Sequence, residues 1–104
     1  MQTITPEDLK ARLDAGGVTL LDVRTADELG LAQLPGAIHI PMSELPARVG
    51  ELNPAGEIAV LCHHGVRSEM AARFLERNGF GAVSSVSGGI DAWSMIVDTS
   101  VPRY

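Results

Sequence analysis

The chain is short of nearly everything that would tie it to a crosslinked, cationic or membrane-bound class. It has one cysteine in 104 residues, which excludes an intramolecular disulfide framework and a multi-cysteine zinc site. Lys10 is its sole lysine, and its 8 basic residues face 13 acidic ones for a net charge of -5. There is no basic field to recruit nucleic acid, and no polybasic patch to bind a membrane surface. Aromatics make up only 4%. No apolar run approaches the roughly 20 residues that cross a bilayer. The stretch from Met1 to Asp8 has neither the basic region nor the hydrophobic core of a signal peptide. These absences point to a cytoplasmic protein, in a compartment that keeps a lone thiol reduced. The length suits one domain over residues 1–104, and 45% apolar residues suffice for a core without staples. No large apolar patch demands a second subunit, so a monomer is expected.

What is present alternates short apolar runs with amphipathic ones, the pattern of a parallel α/β sheet. Thr5-Pro6 opens a helix with a capping residue and a first-turn proline, and Gly16-Gly17 closes it. Strands are expected at Thr19–Val23, Ala37–Ile40, Ile58–Leu61 and Val83–Val86. Ile58-Ala59-Val60-Leu61 is apolar without alternation, as a strand covered on both faces must be. Helices are expected over 26–31, 43–49, 68–78 and 90–95. The tail from about 97 to 104 shows no periodicity. A fold-back over the domain is expected for it, because Trp93 and Tyr104 so near each other rarely stay solvated.

The chemistry concentrates where the central strand ends. Cys62 follows Leu61 directly, and His63-His64-Gly65-Val66-Arg67 leads into the next helix. Ligands of open parallel sheets bind beyond the carboxyl ends of the strands. A short strand-to-helix turn tends to curl its N–H groups inward as an anion nest, and the helix N-terminus adds positive potential. Gly65 allows a positive φ in that turn. Such surroundings favour a thiolate, the form that attacks sulfur. The bland alternative is a buried inert thiol ending a strand. His63 and His64 are read as pocket-rim residues facing water. Zinc is not expected, because neighbouring side chains in a tight loop diverge and no fourth ligand is evident. Arg24 either attracts an anionic donor or pairs with Asp22. Glu28 is expected to pair with an arginine, His39 to be a satisfied structural histidine, and Gly88-Gly89 to let the backbone pass close to the loop.

Cys62-His63-His64-Gly65-Val66-Arg67-Ser68 is similar to the active-site loop of the rhodanese family. Leu21-Asp22-Val23-Arg24, Leu34-Pro35-Gly36-Ala37-Ile38-His39-Ile40-Pro41, Asn78-Gly79-Phe80, Gly88-Gly89-Ile90 and Trp93 resemble the family's other signatures, in order. One departure is Ala32-Gln33, where many members carry Gly-His. The resemblance implies a doubly wound, five-stranded parallel sheet flanked by helices on both faces. It implies sulfane sulfur transfer from a small-molecule donor such as thiosulfate, through a Cys62 persulfide, to cyanide, a thiol or a protein acceptor. Cys62 would be catalytic, with His63, His64, Gly65, Val66, Arg67 and Arg24 binding the donor, and no cofactor or metal taking part. Tyrosine-phosphatase-like enzymes place five residues between cysteine and arginine; this chain has four, a tighter nest that favours one sulfur atom over phosphate or arsenate. A non-turnover sulfur carrier or interaction module is the other reading of the same loop.

Overall fold

The computed structural model describes residues 1–104. Five strands, β1 (Gln2–Ile4), β2 (Thr19–Asp22), β3 (Ile38–His39), β4 (Ile58–Leu61) and β5 (Val83–Val86), form one sheet in the order β1-β5-β4-β2-β3. Every pair is parallel. The helices are α1 (Pro6–Ala15), α2 (Ala26–Leu31), α3 (Leu45–Arg48), α4 (Val66–Arg77) and α5 (Gly89–Ile96). None is long and apolar enough to cross a membrane.

β4 is the middle strand, paired with β2 on one side and β5 on the other, and all four of its residues are buried. Side chains alternate across a strand. Ile58, Val60 and Cys62 therefore enter one core with Leu45, Ala71 and Leu75, while Ala59 and Leu61 enter a second with Leu9, Ile90 and Trp93. Helices α3 and α4 thus cover one face and α1 and α5 the other. β4 is thus covered on both faces, as its unbroken apolar run implied, within the doubly wound sheet that the resemblance implied.

The local signals act as read. The Thr5 hydroxyl accepts from the Asp8 N–H, and Gly16 closes α1 at φ 80°. A further signal, not singled out in the sequence, is the reciprocal capping box that Thr25 and Glu28 form on α2. One strand went unread and three expectations shift. β1 carries no readable pattern, because only Ile4 of its three residues is buried. β3 keeps two residues of the four expected. The helix expected over 43–49 is broken into a 3-10 turn (Met42–Glu44), the four-residue α3 and a second 3-10 turn (Val49–Glu51); Pro46 lacks the N–H needed for a continuous ladder. Finally, α4 starts at Val66 rather than Ser68, because Gly65 at φ 114° turns the chain directly into it.

Candidate functional site

The start of α4 decides what the loop can do. Gly65 is its N-cap and offers no capping side chain, so the first-turn N–H groups keep no protein acceptor. Those of Val66, Arg67 and Ser68 make no hydrogen bond within the chain. The Gly65 N–H points back into the turn and donates to Cys62 Sγ at 3.0 Å. Four residues separate Cys62 from Arg67, and one donor from that turn is already committed to the sulfur. The thiol in turn donates to Ser68 Oγ at 3.4 Å. Cys62 is 1% exposed, so its sulfur lies at the floor of the turn.

A second helix N-terminus holds the turn from behind. The N–H of Ile90 donates to Cys62 O at 2.8 Å and that of Asp91 to His63 O at 3.1 Å. Gly89, at φ 62°, makes the approach possible: a Cβ there would lie 2.5 Å from Cys62 O and would also overlap His63 O. The expected close passage of Gly88-Gly89 is therefore a direct contact with the backbone of the sulfur loop.

Glu28 takes the arginine partner expected of it, and Arg24 and Arg67 are both held by carboxylates of the chain. Arg24 is fully buried. Its Nε and one terminal nitrogen bind the Asp22 carboxylate, the latter at 2.7 Å, and the same terminal nitrogen reaches Ala32 O. The other terminal nitrogen donates to Glu28 O and to the Tyr104 hydroxyl. All five guanidinium N–H groups are thus spent within the protein. Of the two readings of Arg24, the geometry matches the pairing with Asp22 and leaves no donor free for an incoming anion. Arg67 forms a two-pronged pair with Glu28, at 2.5 and 2.8 Å, which ties the start of α4 to α2. Glu28 also accepts from the Tyr104 hydroxyl at 2.7 Å. The Arg67 hydrogen bond holds the Glu28 carboxyl well below the usual carboxylate range, outweighing the opposing effect of burial. Burial, reinforced by the negative Glu28, pushes the Tyr104 phenol up.

The histidines also diverge from the paired-rim picture. His64 is exposed, but the His63 ring is sandwiched between His64 and Tyr104, with centroids 3.8 and 3.9 Å away. His63 therefore does not face water as expected; the tail folds back and covers it. Asp91 approaches both rings closely enough that one ligand atom from each residue falls within 4.8 Å of the others. Arg103 already pairs with that carboxylate, so a cation there would have to displace it. The His39 Nε2–H donates to Arg24 O at 2.7 Å, a structural contact as anticipated.

The roomiest clefts lie elsewhere. One of about 570 Å³ lies over α1 and the ends of β2 and β3, and one of about 390 Å³ between α3 and α4. A smaller hollow of about 290 Å³ is lined by His64, Gly65, Val66 and Ser85 beside the turn. Beside the turn, the Gly65 N–H and the Ser68 hydroxyl meet at the Cys62 sulfur. Sequence reasoning missed the hydrogen bonds of Tyr104 to Arg24 and Glu28 and that between Ser85 and Ser68. The only signal for Ser85 is a small polar residue, 2% exposed, inside a four-residue strand.

The match to known proteins agrees with this geometry. Residues 5–96 match the rhodanese-like domain family. The chain belongs to that family. A sulfurtransferase from Allochromatium vinosum is 36% identical over 92 residues, covering 88% of this rhodanese-like chain and 86% of its own length. The Bacillus subtilis protein YrkF, designated a candidate sulfur carrier, is 41% identical over 92 residues, but the match spans only 50% of that protein. A crystal structure of a rhodanese-related protein from Thermoplasma volcanium superposes with a TM-score of 0.85 at 35% identity, covering 91% of this chain and 92% of that one.

Proposed function

We propose that this rhodanese-like chain transfers sulfane sulfur from thiosulfate or a related anionic donor to a thiophilic acceptor through a persulfide on Cys62. The observation that carries the reading is the Cys62 sulfur held by the Gly65 N–H at the mouth of α4. The Cys62 thiolate attacks the outer sulfur of thiosulfate. A new S–S bond forms as the bond to the sulfonate breaks, and sulfite departs with the electron pair. Cyanide, a thiol or a protein cysteine then attacks the terminal sulfur and returns Cys62 to its thiolate. That terminal sulfur carries negative charge, and the uncommitted N–H groups of Val66, Arg67 and Ser68 are the groups placed to receive it.

In this reading Arg67 holds the loop against α2 through Glu28, His64 forms the rim, and Arg24 supports the fold. Residues 1–104 act as one monomeric unit, and a reducing compartment such as the cytoplasm keeps the thiol ready between turnovers. Intact-mass measurement after incubation with thiosulfate tests the proposal. The protein gains the mass of one sulfur atom, loses it to cyanide or dithiothreitol, and gains nothing as Cys62→Ser. A Cys62→Ser protein with full sulfur transfer would refute it. The resemblance to YrkF favours a second reading, a carrier loaded by another protein. Loading without turnover in the thiosulfate-to-cyanide assay would select that carrier.

A further inference from the structure

We propose that Ser85 is a positioning residue for the Cys62 nucleophile, acting through Ser68. The inference rests on the reading of Cys62 as nucleophile. Ser68 and Ser85 are 0% and 2% exposed. A buried hydroxyl costs free energy unless it is bonded, and alanine would fit a strand such as Val-Ser-Ser-Val. Ser85 stands opposite Val60 in the β4–β5 register, so it projects toward the α4 face, where Ser68 and Cys62 lie.

The hydrogens can be counted. Each hydroxyl has one to give. Ser68 gives its own to Gly65 O at 2.9 Å. The 2.6 Å contact between Ser68 and Ser85 must then carry the Ser85 hydrogen, and the thiol hydrogen of Cys62 occupies the other acceptor position on Ser68. When Cys62 loses its proton, the Ser68 hydroxyl can turn from Gly65 O to the sulfur. Gly65 keeps its own N–H on that sulfur throughout. The Ser85 donation is unchanged by the turn, and it polarises Ser68 into a stronger donor. Ser85 thereby supports the thiolate without touching it, and it does so from the neighbouring strand.

The test measures iodoacetamide alkylation of Cys62 at neutral pH, alongside thiosulfate-to-cyanide turnover, in the full chain and five variants, with thermal unfolding as the check on folding. Ser68→Ala slows alkylation about tenfold, the scale of one hydrogen bond to a charged group. Ser85→Ala slows it about two- to threefold, the scale of lost polarisation. Ser68→Ala/Ser85→Ala matches Ser68→Ala alone, and Ser85→Thr keeps the native rate. Should Ser85→Ala fail to fold, Ser85→Val takes its place, since it differs from Ser85→Thr only in lacking the hydroxyl. Ser85→Ala alkylating at the native rate, or adding its own effect on top of Ser68→Ala, overturns the proposal. If the alkylation pattern holds while the native chain transfers no sulfur, the sulfurtransferase reading fails and the role of Ser85 stands.

Discussion

Replacing Gly89 with alanine tests whether the sulfur loop is held from behind by α5. The residue adopts φ 62°, and a Cβ would lie 2.5 Å from Cys62 O, with His63 O also in its way. Both obstacles are backbone atoms, so no flexible side chain can move aside. Placing an L-residue in the left-handed region costs about 1–2 kcal/mol, and forced repacking adds about 1–3 kcal/mol. The sum, about 2–5 kcal/mol, lowers the melting temperature of a chain this size by at least about 8 °C. Relief requires moving Cys62 and His63, which also weakens the Ile90 bond to Cys62 O and tilts the thiol away from the Gly65 N–H. Sulfur transfer in the folded fraction therefore falls together with stability. Calorimetry and the thiosulfate-to-cyanide assay measure the two effects. Gly81→Ala is the control, since nothing lies within 4 Å of a Cβ there and its φ is not positive; it shifts stability by less than about 0.5 kcal/mol. A Gly89→Ala chain as stable and as active as the native one would refute the close contact.

Arg24→Met removes one partner of a buried pair and strands Asp22, so urea unfolding reveals a loss of about 3–5 kcal/mol. A variant of native stability with only weakened thiosulfate binding would return Arg24 to the donor site. Glu28→Gln breaks the charge pair with Arg67 but keeps an acceptor for Tyr104, for a loss of about 1 kcal/mol at a partly exposed site. Because the folded Glu28 carboxyl lies below its unfolded value of about 4.3, its contribution is fully present above that pH and is lost as pH falls through the lower folded value. The stability gap between the native chain and Glu28→Gln is therefore widest near neutrality and narrows below about pH 4 in urea titrations. A gap that does not change with pH would show that the Glu28 charge is not what binds Arg67.

What the sequence determined by itself was local. Thr5 caps α1 because, once the first turn forms, its hydroxyl lies within reach of the N–H three residues on. The unbroken apolar run 58–61 had to be a strand covered on both faces, and the cysteine at its end had to lie at the binding edge of the sheet. The tertiary structure decided everything that depends on which strands become neighbours. The order β1-β5-β4-β2-β3 brings Ser85 beside the sulfur and gives the three-residue β1 a partner it could not signal alone. Arg24 became a core residue because Asp22, Glu28, Ala32 and Tyr104 together supply acceptors for all its hydrogens. His63 turned inward because Tyr104, 41 positions further along the chain, closes over its ring. Pairings across such separations leave no periodic trace in sequence, since each depends on the path of the chain between the partners.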